Sequence, residues 1–431
     1  MKTIHKILFE NSKKMSAIPT ASVHLVVTSP PYPMIEMWDD MFIRQSSEIA
    51  KSLKHQKGLQ AFEWMHRELD PVWKEIHRIL IDGGIACINI GDAVRTIDGN
   101  FSLYPNHSRI LTAMLKTGFS ALPLILWRKP TNAPNKFMGS GMLPAGAYVT
   151  LEHEYILILR KGSKREFNSL GTKQSRREGA FFWEERNSWF SDVWFGLIGT
   201  TQKMKNSAAR LRSGAFPFEL AYRLISMYST KGDTVVDPFL GTGTTMAAAM
   251  ASARNSIGFE IEPGFRDQIF SIRDSVIDTS NDRIRQRIQN HLEFVRERAK
   301  EKGNLKYLNR HYKFPVITRQ EIELFFNPLD NIEQIDENSM AVTYSDVPKE
   351  NFEGDWQEFT PFRATKPKSE QTATLLENQL QINQHPKGSF RPAKNSDTVF
   401  SSITAAWARP DRHEATSIRS IKILPISPEA H

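Results

Sequence analysis

The chain is poor in the residues that mark secreted, membrane-bound or metal-dependent proteins. It has one cysteine in 431 residues, Cys87. No internal disulfide can form, and Cys87 lies in an apolar run where a thiol packs as a small hydrophobe. This usage suits a reducing cytoplasm. No apolar run is long enough to cross a bilayer. The opening Met1-Lys2-Thr3-Ile4-His5-Lys6 lacks a signal peptide's apolar stretch. The 12 histidines form no cluster with cysteine or carboxylates at metal-ligand spacing. No internal repeat is visible. Excess acid is also missing: the formal charge is +8 and the pI about 9.3. A basic excess of this size fits a polyanionic partner without proving one. The length allows one large or two medium domains with ample core.

What is present turns on Val26-Val27-Thr28-Ser29-Pro30-Pro31-Tyr32. Two β-branched residues end a strand, and two prolines stop it. Proline fixes φ and has no backbone donor, so the carbonyls of Ser29 and Pro30 are held in a set direction. Tyr32 then stands at the strand's carboxyl end, where open α/β sheets place ligands. This pattern reads as a base-handling site. An exocyclic amine is a poor nucleophile because its lone pair is delocalised into the ring. Fixed oxygens that accept its hydrogens pull the nitrogen towards a tetrahedral shape. The Ser29 hydroxyl and Pro30 carbonyl are such acceptors, and Tyr32 offers a face for stacking. A base in a duplex reaches such a pocket only when flipped out. The plainer alternative is a loop that merely ends a strand.

A second motif shifts the balance: Thr234-Val235-Val236-Asp237-Pro238-Phe239-Leu240-Gly241-Thr242-Gly243-Thr244-Thr245. A strand runs into a glycine-rich turn and then into a helix of strong formers from Met246. Glycines let backbone approach a ligand closely, and a helix N-terminus favours negative charge. A phosphate-binding P-loop is excluded because its lysine is missing. The next strand, 256–261, carries Glu260 about 20 residues past the glycines, where a carboxylate can take both hydroxyls of a ribose. This suits a nucleoside cofactor without a polyphosphate.

T-S-P-P-Y followed downstream by D-P-F-x-G-x-G-T-T resembles the amino-group DNA methyltransferases that use S-adenosylmethionine. The order of the two motifs resembles their permuted β class. Serine rather than aspartate before the prolines is typical of members that methylate cytosine N4. The run T-S-P-P-Y-P-M-I-E-M-W-D over 28–39 is similar to the BamHI-type methylases, which implies GGATCC as target. The resemblance covers roughly residues 1–270. It implies an α/β, doubly wound, mostly parallel Rossmann-like sheet with an antiparallel edge strand. It further implies S-adenosyl-L-methionine as cofactor and double-stranded DNA as partner, with a restriction endonuclease in the same system. Ser29, Pro30, Pro31 and Tyr32 would hold the flipped base. Asp237, Pro238, Phe239, Gly241, Gly243, Thr244 and Glu260 would bind cofactor. Phe216 and Pro217 match the family's F-P segment and would wall the same pocket. Asn11, after the strand 3–9, would help hold adenine, with a turn or helix cap as the other reading.

Around these motifs the chain reads as follows. Residues 33–60 are irregular, either a flap over the base or a loop packed on the body. A helical stripe over 61–80 precedes a turn at Asp82-Gly83-Gly84 and a buried strand 85–90 ending in Gly91-Asp92. Asp92 borders the site or is structural. Residues 107–118 suit a helix, and 119–127 and 154–159 two antiparallel strands. The loop 131–150 and the basic stretches 160–178 and 203–212 suit phosphate contact. Target recognition is expected within 131–215. The aromatics of 181–195 read as core. Residues 271–431 form a C-terminal accessory region that adds DNA contacts, sequence choice or self-association, with a polar stretch at 364–399. Two rivals remain: adenine N6 methylation, and a non-catalytic DNA-binding protein that kept the fold.

Overall fold

Aliphatic and β-branched runs become the strands of one 11-stranded sheet in a computed structural model, which describes residues 1–129, 138–197, 216–303, 305–350 and 352. In chain order they are β1 (Lys2–Leu8), β2 (Val23–Thr28), β3 (Leu80–Ile90), β4 (Phe119–Ala121), β5 (Ile125–Arg128), β6 (His153–Lys161), β7 (Val193–Trp194), β8 (Thr234–Asp237), β9 (Asn255–Phe259), β10 (Leu329–Asp336) and β11 (Ser339–Tyr344). Across the sheet the order is β7-β5-β6-β3-β2-β8-β9-β1-β11-β10, with β4 also paired to β6. The centre, β3-β2-β8-β9-β1, is parallel. Both flanks turn antiparallel, β6 against β3 and β11 against β1. The expected mostly parallel α/β sheet is therefore present.

The central strands are buried on both faces, which is why they read as continuous apolar runs. Val26, Ala86, Ile88 and Val236 join one core with Met65, Leu69, Trp73 and Ile76. Their neighbours Leu25, Val27, Cys87 and Val235 face the other way, against Leu220, Leu224 and Ala248. The helices include α1 (Asp39–Gln45), α2 (Ser47–Lys54), α3 (Gly58–Ile79), α4 (Asn106–Thr117), α5 (Leu170–Glu178), α6 (Trp183–Trp189), α7 (Phe218–Tyr228), α8 (Thr244–Ala251), α9 (Arg266–Phe270) and α10 (Val276–Lys302). Of these, α1 to α4 join the first core and α6 to α8 the second, while α5 buries no residue. Pro71 lies inside α3. Its missing hydrogen bond is outweighed by the buried stripe on that helix and by Arg109 of α4, which grips Glu63 and Asp70.

Several sequence expectations change. Residues 33–60 are not irregular: they form a short turn, α1 and α2, with Phe42 and Ile49 fully buried. Asp82-Gly83-Gly84 is not a turn but an irregularity within β3. The pairing with β2 jumps from Val23–Leu80 to Leu25–Ile85, and Gly83 at φ 79° absorbs the extra residues. The span 119–127 splits into β4 and β5, both antiparallel to β6; Pro123 between them cannot donate to a ladder. The sheet continues past 270. Beyond 270, α10 packs on the body, and β11 adds to the sheet beside β1. The basic stretch 203–212 and everything expected for 364–431 lie outside the described residues.

Candidate active site

The site begins with two strands that are distant in sequence and adjacent in space. β2 and β8 are parallel neighbours, with Leu25 opposite Val235 and Val26 opposite Val236. Their carboxyl ends therefore emerge side by side. Buried Asp237 ties them. Thr28 Oγ1 donates to its Oδ1 at 2.6 Å, across 209 residues, and Thr245 Oγ1 of α8 donates to its Oδ2 at 2.6 Å. The Phe239 N–H adds a third bond at 3.0 Å. Burial pushes the Asp237 carboxyl up to about 6, and these donors partly offset that. One carboxylate thus fixes the serine-proline corner against the glycine turn.

The two loops open on one cavity of about 460 Å³. Ser29 and Pro31 line it from the first motif, and Pro238, Phe239 and Gly241 from the second. Asn11 and Glu260 line it as well. Glu260 follows β9 and is 8% exposed. Its Oε2 accepts from the Gly241 N–H at 2.8 Å and its Oε1 from the Glu262 N–H at 2.9 Å. Each oxygen keeps a further lone pair for a ligand. Burial pushes this carboxyl up to about 7. Asn11 does form a turn, its Oδ1 accepting from the Lys13 N–H at 3.0 Å, and it borders the cavity too.

Gly241 has φ 54° and an open flank; Gly243 has φ 86° and a crowded one. A Cβ on Gly243 would lie 2.6 Å from Ile272 Cδ1. Gly243 caps α8, and Thr244 is that helix's first residue. Asp237, Gly243 and Thr244 do not line the cavity but shape the turn that does. Phe216 and Pro217 also lie away from its lining. Phe216 is buried with Leu220 and Trp194 on the opposite face of the sheet, and Pro217 is the N-cap residue of α7.

Residues 33–60, read as a flap over the base or a loop packed on the body, supply Trp38 and Met41 to the wall from α1 and the turn before it. Arg44 of α1 and Leu69 and Val72 of α3 complete it and were not apparent from the sequence. Arg44 bonds Glu262 across the cavity rim at 3.3 Å. The helical stripe 61–80 signals a buried face but not that part of it borders a hollow.

Pro30 is buried behind the corner, and Tyr32 is half-buried. The Tyr32 hydroxyl meets Ser29 Oγ at 3.1 Å, Asn89 Nδ2 at 2.8 Å and Glu154 Oε2 at 2.9 Å. Burial, and then the Glu154 carboxylate, hold this phenol protonated well above its usual range. Two residues on, Met34 has φ 68°, a left-handed conformation that costs a non-glycine residue about 1–2 kcal/mol. Asp92 is structural: it accepts from the His107 backbone at 3.0 Å at the start of α4. Of the basic stretch 160–178, Arg165 is committed to Asp233 and Lys161 to the Leu80 carbonyl. Lys164, Lys173, Arg176 and Arg177 are exposed on its surface.

Away from the cavity, Glu184, His291 and Glu321 bring ligand-type atoms within 4.8 Å of one another. No local spacing signals this group. His291 lies between Glu184 Oε1 at 2.8 Å and the Pro315 carbonyl at 3.1 Å, and Glu321 accepts from the Trp183 N–H at 2.9 Å. The Glu184–His291 bond joins α6 to α10, and the other two tie these helices to the segment 315–321.

The sequence profile of the N6/N4 methylase family, described as DNA methylase, matches residues 23–271. The type II methyltransferase M.MthZI of Methanothermobacter thermautotrophicus is 49% identical over 348 residues, 80% of this chain and 97% of that protein. M.MjaI of Methanocaldococcus jannaschii is 50% identical over 275 residues, 61% of this chain and 89% of that one. TTHA0409 of Thermus thermophilus, a putative DNA modification methylase crystallised with S-adenosyl-L-methionine, is 30% identical with a TM-score of 0.49, covering 63% of this chain and 96% of its own. A profile spanning both motifs, and a relative matched over nearly its whole length, place this chain in the N6/N4 DNA methylase family.

Proposed function

We propose that this protein methylates the N4 amine of cytosine in duplex DNA, as the β-class modification enzyme of a type II restriction–modification system. The coarser activity follows from its family: it is a DNA methyltransferase, and its methyl donor is S-adenosyl-L-methionine. One observation carries the reading. Ser29 and Pro31 of the first motif and Gly241 and Glu260 of the opposite edge line one cavity, which supports an extruded base and a nucleoside cofactor meeting there.

The lining fits such a cofactor. Glu260 offers carboxylate lone pairs to a ribose, Gly241 admits close backbone approach, and Trp38, Met41, Phe239 and Phe265 supply apolar wall. Asn11 stands where an adenine edge would need a polar partner. Asp237, Gly243 and Thr244 serve this pocket by shaping its turn, and Phe216 and Pro217 by packing behind the sheet. When bound, the donor supplies a sulfonium methyl, already an activated leaving group, so placement carries much of the rate. Ser29 Oγ and the Pro30 carbonyl then accept the hydrogens of the target amine, which localises its lone pair for attack. Cys87 is fully buried, and burial raises its thiol far above the usual range, so it is no covalent nucleophile.

Serine at position 29 favours cytosine N4 over the rival, adenine N6. The deciding experiment treats DNA with the purified protein and labelled S-adenosyl-L-methionine, then separates the nucleosides by mass. N4-methylcytosine is expected. N6-methyladenine would move the assignment to the rival, and no transfer to any DNA would favour a non-catalytic binder. Modified-base sequencing of host DNA then reads the target motif, GGATCC or another.

A further inference from the structure

The Tyr32 hydroxyl is held from three sides by groups on three different segments. Ser29 sits on its own loop, Asn89 on β3 and Glu154 on β6. Asn89 Nδ2 also donates to Glu154 Oε2 at 2.6 Å. Lys129, just after β5, donates to Glu154 Oε1 at 2.8 Å.

These contacts leave the protons one arrangement. A carboxylate only accepts, so Asn89 must turn its NH₂ towards Glu154, and with it towards Tyr32. A phenol has a single proton to give. Here it goes to Glu154, the charged acceptor. The Tyr32 oxygen then accepts from Asn89 and from Ser29. Ser29 has one hydroxyl proton, and that proton is committed to Tyr32. Towards the cavity Ser29 presents only lone pairs.

Two details show that the arrangement is held in place. Asn89 is 2% exposed, yet its Oδ1 has no hydrogen-bond partner among the described residues. An orphaned buried carbonyl is costly, and the amide keeps this orientation nonetheless. Gly91 lies against the ring, where a Cβ would come within 3.0 Å of Tyr32 Cε2. The ring has room because residue 91 lacks a side chain.

We propose that Glu154 and Asn89 are positioning residues that set the direction of the Ser29–Tyr32 hydrogen bond, so that Ser29 meets the target base as an acceptor only. This rests on the reading of Ser29 as the amine-facing group. The consequence is chemical selectivity. Cytosine carries an N4–H₂ donor where thymine carries an O4 acceptor. A lone-pair-only serine receives the first and faces the second lone pair to lone pair.

The test measures single-turnover methylation by the full chain for wild type, Glu154→Gln, Tyr32→Phe and the double variant, with cofactor affinity and thermal midpoint alongside. Glutamine has nearly the size of glutamate, but its amide can donate to Tyr32 and let the phenol proton swing towards Ser29. The Glu154→Gln rate should fall on the order of 10–100-fold, with cofactor affinity and midpoint unchanged. Tyr32→Phe keeps the ring and cuts the chain, so adding Glu154→Gln to it should cost nothing further. Asn89→Ala gives an independent arm with the same non-additivity. A wild-type rate for Glu154→Gln, full additivity with Tyr32→Phe, or a rate loss that merely tracks affinity or midpoint would overturn the proposal. No transfer by the wild type is a different result: it removes the methylation reading itself, and this inference with it.

Discussion

Replacing Ser29 by alanine removes one hydroxyl and leaves the corner set by Pro30 and Pro31. Cofactor affinity should stay at the wild-type level while turnover falls by roughly 100-fold or more, the scale of losing one preorganised polar contact in a shielded site. Calorimetric titration and single-turnover rates separate the two; normal turnover would end the role given to Ser29. Glu260 makes the second residue-level prediction. Its carboxyl titrates near 7 when folded, against an ordinary value of 4.5. Between these values the folded state holds a proton that the unfolded chain releases. This group's contribution to stability therefore falls as pH rises from 4.5 to about 7 and is level above. Ribose hydroxyls bond best to the ionised form, so cofactor affinity should rise as pH passes about 7. Glu260→Gln should flatten that rise and weaken binding by about 1–3 kcal/mol. Asp237, near 6, is the neighbouring buried acid and should leave a lower step in both proteins. Both residues were legible in the sequence because a motif and its spacing marked them. Asn89 and Glu154 were not, since only the pairing of β3 with β6 brings them to Tyr32.

The connection between elements depends on Thr28, Asp237 and Thr245. Thr28→Val keeps the shape of β2 and deletes a donor to a buried carboxylate. The expected loss is about 1–3 kcal/mol, seen as a lower urea midpoint at an unchanged slope. Gly243→Ala should cost about as much, because a φ of 86° and a contact 2.6 Å from Ile272 both oppose a side chain. A midpoint equal to wild type in either variant would show that the turn tolerates looser packing than described. Strands β2, β8 and β9 and helix α8 could be read from pattern, because long apolar runs and glycine turns are local signals. Helices α1 and α2 could not. Their buried Phe42 and Ile49 are scattered among polar residues, and what makes them helical is packing against α3 and the cavity. Gly83 misled for the opposite reason: D-G-G is turn chemistry, but here the strand continues through it.

At the scale of the molecule, the first strand depends on the last one among the described residues. β1 pairs with β9 on one side and β11 on the other. Met340, Val342 and Tyr344 share a core with Ile7, Leu240 and Met246. The Tyr344 hydroxyl bonds the Met250 carbonyl at 2.8 Å and Thr3 Oγ1 at 2.9 Å. A chain cut after residue 270 should lose its cooperative melt by circular dichroism, whereas one cut after residue 352 should keep it. Equal midpoints would mean that β11 is dispensable. Sequence pattern alone placed an accessory region after 270, because family motifs end there while the sheet does not. The separation of β2 from β8 by more than two hundred residues also has a meaning for synthesis. At about 5–20 residues per second, the ribosome delivers the glycine turn roughly 10–40 s after the serine corner. Until then the nascent chain shows an apolar strand edge with no neighbour, a template for chaperones and for aggregation. A copy made only to the middle of the chain lacks the Gly241–Glu260 edge, so the proposed pocket cannot form before synthesis passes residue 260.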